Sequence, residues 1–315
     1  GSTTDKVVYQ KITAMDAFGN VVGSTQNNDI ITNTKAFNPQ TGLVDTIQAS
    51  NGTLIQDNDY QFDSIGNLRS RTRNTLDNAA TINIDGNALS VQHETFQYDN
   101  VNRLTHIDNT EFVRYQANGN IDWKRGVGNY CYNAARPHAV SGLGAQGCST
   151  QSYVYDANGN MTSGRGRSIN YGHFDKPTLI SNSQGSTQFA YDTGRNRYKR
   201  TTTEDNDEGV SVTTTTYYLG NLELVSDNQG KNEVRRYLPN AIQTQHGTGA
   251  ISTKYLHKDH LGSIDTITDE NGKILDKLYF DAWGKKVSID SLQWSNTTQL
   301  QAAITLINVL DITPK

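Results

Sequence analysis

Along most of this chain, polar and apolar residues alternate in short runs that end in the same turn signal. Five segments align: Tyr60-Gln-Phe-Asp-Ser-Ile-Gly-Asn-Leu68, Phe96-Gln-Tyr-Asp-Asn-Val-Asn-Arg-Leu104, Val113-Arg-Tyr-Gln-Ala-Asn-Gly-Asn-Ile121, Tyr153-Val-Tyr-Asp-Ala-Asn-Gly-Asn-Met161 and Phe189-Ala-Tyr-Asp-Thr-Gly-Arg-Asn-Arg197. Their common form is aromatic-x-aromatic-Asp-x-x-Gly-Asn-apolar. Aromatics two residues apart, such as Phe96 and Tyr98 or Tyr153 and Tyr155, share one face of an extended chain. The Asp accepts hydrogen bonds from backbone N–H groups two residues on, and the Gly or Asn supplies the positive-φ position of a short hairpin loop. Apolar alternation then resumes, as in Leu104-Thr-His-Ile107 or Ile121-Asp-Trp123. Each unit therefore predicts a β-hairpin, with turns at Asp63 and Gly66, Asp99, Gly119, Asp156 and Gly159, Asp192 and Gly194, and Asp281 and Gly284.

Weaker copies at Met15-Asp-Ala-Phe-Gly-Asn-Val21, Phe37-Asn-Pro-Gln-Thr-Gly-Leu43, Asp269-Glu-Asn-Gly-Lys-Ile274 and Phe280-Asp-Ala-Trp-Gly284 extend the repeat nearly end to end. A single hairpin is marginal in water, so the units are expected to join edge to edge into an all-β, curved or spiralling sheet. The intervals 122–152 and 201–217 lack the signal and read as loops or decorated turns. From Thr297 to Leu310, Leu300, Ala303, Ile304 and Ile307 recur at helical spacing. The expected organisation is a repeat sheet over residues 1–290 and a short helical segment over 291–315.

Composition sharpens this picture. The 16 Tyr and 8 Phe, set among Thr, Val and Ile, suit a pleated, half-buried surface. Charged residues make up 19%, too few for the charge-rich signature of disorder. A formal net charge of −4 gives no basic field to neutralise phosphates, so neither nucleic acid nor membrane insertion is expected. No basic stretch followed by an apolar run opens the chain, so no signal peptide is expected. Cys131 and Cys148 could bridge a short loop, but two thiols do not make a disulfide framework.

The Tyr-Asp-x-x-Gly-Asn units resemble those of the RHS/YD-repeat family, which includes bacterial polymorphic toxins, Tc toxin B and C components and the teneurins. The stretch Tyr255-Leu-His-Lys-Asp-His-Leu-Gly-Ser263, followed by Tyr279-Phe-Asp-Ala-Trp-Gly284, is similar to the signature leading into the RHS-associated core, at 255–284 here. The resemblance covers roughly residues 9–290. It implies a partial RHS shell: a non-catalytic β-sheet wall that encapsulates or presents a C-terminal toxin or effector polypeptide, secreted or delivered at the bacterial cell surface. No Asp-Pro-x-Gly pair follows, so the family's aspartyl autoprotease and the toxin would lie C-terminal to this chain.

Few residues suggest chemistry. His257, Asp259 and His260 place two imidazoles and a carboxylate within four residues, as zinc ligands would be, but in a strand His257 and His260 face opposite sides, and a hydrogen-bonded turn is the simpler reading. Gly142-Leu-Gly-Ala-Gln-Gly147 has dinucleotide-loop glycines without the helix that would hold a pyrophosphate, and reads as a flexible loop. The repeat Asp residues sit where an Asx-turn wants them rather than as paired acids or a calcium ladder. No catalytic residue and no cofactor is expected. The rival reading is a carbohydrate-binding adhesion module using Trp123, Trp283 or Trp294 as platforms. Open strand edges would favour self-association or other shell subunits as partners, unless a C-terminal helix caps them.

Overall fold

The Asp-x-x-Gly-Asn signal sets the register of the sheets, because it fixes which residues face each other across each turn. In the computed structural model, which describes residues 7–74, 83–84, 87–88, 91–144 and 153–287, the residue before the turn Asp pairs with the residue after the Asn. Phe62 thus opposes Leu68, Tyr115 opposes Ile121 and Tyr155 opposes Met161. A bulge one step earlier in each ladder absorbs the odd residue of the loop. The described residues are all-β without a helix, and strands pair antiparallel in chain order, except that Leu68–Asn74 pairs with Val91–Tyr98 past the separate small ladder of 83–84 with 87–88. The helix expected over 297–310 lies outside the described residues.

The chain divides into two compact units, one gathering Gly1–Thr95, Leu238–Ile242 and Thr253–Lys315, the other Phe96–Tyr237 and Gln243–Ser252. The first opens with a six-strand meander: β1 (Gln10–Met15), β2 (Val21–Gln26), β3 (Ile31–Phe37), β4 (Val44–Ser50), β5 (Leu54–Phe62) and β6 (Leu68–Asn74). Its later part contributes strand Ile251–Lys258 from Thr253 on, then Ile264–Thr268 and Ile274–Lys277, followed by the small hairpin Tyr279–Phe280 with Lys286–Val287. Ile31, Ala49 and Ile55 form one core with Ala241 and Tyr255, and Tyr9, Leu238 and Ile274 pack against it. Removing a large apolar side chain such as Ile55 from water is worth about 2 kcal/mol, so this core ties early and late segments of the sequence together.

Among the described residues the second unit has fewer buried apolar side chains, including Val113, Cys131, Leu143, Ile169 and Val225. Cross-strand pairs are prominent in it. Threonines face threonines between strands Arg197–Asp205 and Ser211–Leu219, where Thr203 and Thr213 hydroxyls lie 3.1 Å apart. Cations cover the aromatic rows: Arg103 lies 4.3 Å over the Tyr115 ring and Arg197 4.6 Å over Tyr218.

Two stretches expected as loops are sheet. Within 122–152 lie strands Gly128–Asn133 and Arg136–Gly144, which pair with each other. Gly142 and Gly144 belong to this ladder, and residues 145–147 lie outside the described part. Residues 201–217 form the hairpin just named, because Thr and Val are strand formers and Asn206 replaces Asp in its turn. Cys131 is buried and disulfide-bonded, and Cys148 lies outside the described residues.

Candidate functional site

The repeat turns come first, since they position everything else. At Asp63 the Gly66 N–H donates to the Asp63 carbonyl at 3.1 Å, and Gly66 takes φ 88. The Asp63 carboxylate accepts from the backbone N–H groups of Ile65 (3.1 Å) and Asn67 (2.9 Å), and from the Asn67 side-chain amide (3.0 Å). Asp156 repeats this arrangement with Asn158 and Asn160. The Asn160 amide, aided by backbone N–H groups and opposed by desolvation, holds the Asp156 carboxyl below its ordinary range. Asp99 does the same with Arg103 in place of Asn, its carboxylate accepting from the guanidinium at 2.7 Å. Asp281 accepts from the N–H groups of Trp283 and Lys285, and Gly284 takes φ 76.

Two turns depart from the expected pattern. At Gly119 the first turn residue is Gln116, and Asn118 supplies the side-chain acceptor for the Asn120 N–H. At Asp192 the positive-φ position belongs to Arg195 (φ 63), not to Gly194. Distance from the Asp decides the position: Arg195 stands three residues on, and its N–H donates to the Asp192 carbonyl. The sequence reading also passed over Asn206 and Asp227, which close turns of the same kind.

In the second unit the tyrosine before the turn does more than fill a face. Tyr171 donates its hydroxyl to the Met161 carbonyl (3.0 Å) and Tyr191 donates to Pro177 (2.8 Å). Tyr132 and Tyr155 donate likewise to Ile121 and Val140. Met161 and Pro177 each follow the preceding turn, so these hydroxyls tie one hairpin end to the next.

The first unit holds a buried polar seam. Alternation puts Gln56, Asn58 and Tyr60 on one face of β5. There Gln56 Nε2 lies 2.7 Å from both carboxylate oxygens of Asp265, Asn58 Nδ2 donates to it at 2.6 Å, and Gln56 also donates to the Lys258 carbonyl. Burial raises the Asp265 carboxyl, against the lowering effect of the two amides and of Arg73. On β6, Arg71 pairs with Glu94 and donates to the Phe280 carbonyl, while Arg73 lies 5.7 Å over the Tyr279 ring. The bonds to Asp265 span 207 to 209 residues of sequence.

The weak ligand candidates at 257–260, read first as a hydrogen-bonded turn, take separate partners here. His257 is 2% exposed, with Nε2 3.1 Å from Thr268 Oγ1, and burial depresses its imidazole to about 4. Asp259 closes a turn by accepting from the N–H groups of Leu261 and Ser263. His260 sits 4.3 Å from Tyr60 between ring centroids, and burial, opposed by the Asp259 charge, brings it to about 4. Each side chain has a different neighbour, and among the described residues no group of three or more His, Cys, Asp or Glu could hold a metal ion. Asp265 is the buried carboxylate of the seam, and its oxygens are taken up by amides. Sequence reading missed Gln56, Asn58, Arg71, Arg73 and Asp265, although alternation through Tyr60 already placed 56 and 58 on its face.

The tryptophans weighed as platforms stand in separate settings where they are described. Trp123 lies 5.7 Å from the Arg114 guanidinium in the second unit, Trp283 is 41% exposed at a turn of the first, and Trp294 lies outside the described residues.

Antiparallel hairpins closed by Asp-centred turns and stitched in chain order define the class as a YD-hairpin sheet protein. The chain belongs to the teneurin YD-shell family, whose model matches residues 11–206, within the wider RHS/YD-repeat group. Comparison with curated proteins returned no match. Among solved structures it is similar to the Tc holotoxin pore of Photorhabdus luminescens with a TccC3 mutation, at 14% identity and TM-score 0.66, covering 89% of this chain and 16% of that one. TcdB2-TccC3-TEV (14% identity, TM-score 0.68) and TcdB2-TccC3 (14%, 0.64) each cover 90% of this chain and 16% of theirs. The chain thus spans 16% of the length of these structures, and at such identity the likeness is one of fold. Among the described residues no helix is long and apolar enough to cross a membrane.

Proposed function

We propose that this chain is a non-catalytic wall segment of a toxin-type RHS/YD-repeat shell that encapsulates or presents a C-terminal effector polypeptide and is secreted or delivered at the cell surface. The observation that carries this reading is the seam at Asp265. A buried carboxylate whose oxygens are taken up by Gln56 and Asn58 fastens segments more than 200 residues apart, and its chemistry is spent on holding the sheet. His257 and Asp259 of the signature are likewise used locally, for a strand contact and a turn. The family membership and the fold shared with Tc toxin structures support the same reading. The wall would run over residues 1–290, with the signature at 255–284 as its later edge and the effector as its partner.

Small-angle scattering with light scattering on the purified chain tests the wall. A sheet segment should give a radius of gyration well above the roughly 20 Å of a solid globule of this length. A value at or below that, with a globular scattering profile, overturns the reading.

A further inference from the structure

The second unit carries two opposite charge clusters, one near either end of strand Arg197–Asp205, that cannot meet within one molecule. At one end, residues 204–210 form an exposed turn bearing Glu204, Asp205, Asp207 and Glu208. At the other end, Lys176, Arg195 and Arg197 line an open depression of about 580 Å³ with Pro177, Tyr191, Asn196 and Tyr218. No carboxylate lines it; nearby Asp192 is held by its own turn through the Asn196 N–H. Lys176 lies 5.5 Å over Tyr191 and Arg195 4.8 Å over Phe174, so both cations are held in place by rings. Among the described residues, neither these three cations nor the four acids form an ion pair.

Strand Arg197–Asp205 joins the two clusters. Eight steps of an extended strand separate its ends by about 26 Å, which keeps acids and cations apart in one copy. Planar guanidinium groups suit carboxylates, and a volume of this size suits a small protruding group. The clusters are therefore complementary only between molecules.

We propose that the acidic turn at 204–208 of one copy docks into the basic, aromatic-lined depression at Lys176 and Arg195 of a second copy. The contact is head-to-tail, so each molecule keeps one turn and one depression free for the next. It is electrostatic and exposed, hence weakened by salt.

The test is mass by size-exclusion light scattering on the whole chain at about 30 mM and about 500 mM salt, near the two regimes of screening. Mass should rise with concentration at low salt and return to monomer at high salt. One variant neutralises the turn (Glu204→Gln, Asp205→Asn, Asp207→Asn, Glu208→Gln), another the depression (Lys176→Gln, Arg195→Gln). All six sites are on the surface or its rim, and circular dichroism checks that both variants keep the sheet. Each alone should lose association at least about tenfold, the weight of one or more such contacts. Mixed, they should form a one-to-one pair, since one keeps the depression and the other the turn. A monomer under all conditions overturns the proposal. So does association that both variants retain, which would point to pairing of strand edges.

Discussion

The hydroxyl of Tyr191 donates to the backbone carbonyl of Pro177 at 2.8 Å, across two consecutive hairpins. Tyr171 makes the same bond to Met161 one hairpin earlier. The tyrosine of the repeat thus has two uses: its ring stands on the sheet face, and its hydroxyl satisfies a carbonyl at the neighbouring turn. Tyr191→Phe and Tyr171→Phe should each lower stability by about 1 kcal/mol, the net worth of one such bond. The midpoint of urea unfolding reads this. Tyr237→Phe is the control, because its hydroxyl donates to the Glu223 carboxylate at the exposed surface. A larger loss at Tyr237 than at Tyr191 would count against the stitching role.

The turns predict unequal costs for two reciprocal substitutions. Gly66 takes φ 88 and a Cβ there would meet nothing within 4 Å, so Gly66→Ala has a backbone cost alone, about 1 kcal/mol. Asn102 holds the equivalent position at φ 63, and Asn102→Gly relieves the backbone there, so it should cost less than Gly66→Ala. Thermal unfolding of the two variants side by side decides it. Equal destabilisation by both would show that the loop side chains, not the backbone, set the turn.

These turns were legible in the sequence because everything they need lies within five residues. Asp, a positive-φ residue three places on and an Asn to return a hydrogen bond form a local code, so the all-β fold and most hairpins could be read directly. The code was misread where glycine was taken as its marker: at Asp192 the positive-φ residue is Arg195, and Gly194 instead leaves room for the Asn196 and Asp192 side chains. Asn206 hid a hairpin because its acceptor is an amide rather than a carboxylate. The seam was illegible for another reason. Gln56 and Asn58 look like solvent-facing strand positions, and nothing nearby in sequence marks Asp265, 209 residues from Gln56, as their partner. His257 and His260 were singled out as a pair by proximity, and the fold gives one to Thr268 and the other to Tyr60.

Breaking the seam should be costly. Asp265→Ala removes the acceptor of the buried Asn58 amide and one of the two acceptors of Gln56, and a loss of about 3 kcal/mol is expected. Asn58→Ala alone should lose less, because Gln56 retains Asp265 and the Lys258 carbonyl. A double-mutant cycle between positions 58 and 265 should return a coupling of about 1 kcal/mol or more. Additive losses would mean that the 2.6 Å contact contributes nothing beyond burial.

Acid should loosen the same region through His257. Its imidazole ordinarily titrates at 6.5 and is held at about 4 by burial. Between these values the unfolded chain takes up a proton that the folded chain refuses. Stability is therefore full above about pH 6.5 and falls as pH drops toward 4, by roughly 2 to 3 kcal/mol at pH 4.5. His260, held low beside Tyr60, Asp259, Arg71 and Arg73, shifts stability in the same direction. Asp265 opposes them: its raised carboxyl takes up a proton in the folded state first, which restores some stability as pH falls through its folded value toward 3.8. With two imidazoles against one carboxylate, urea unfolding from pH 7.5 to pH 4.5 should show a net loss. His257→Gln, which keeps a hydrogen-bonding group for Thr268 but cannot titrate, should flatten that slope while leaving the turn at Asp259 intact. An unchanged slope in the variant would place the acid sensitivity elsewhere than at His257.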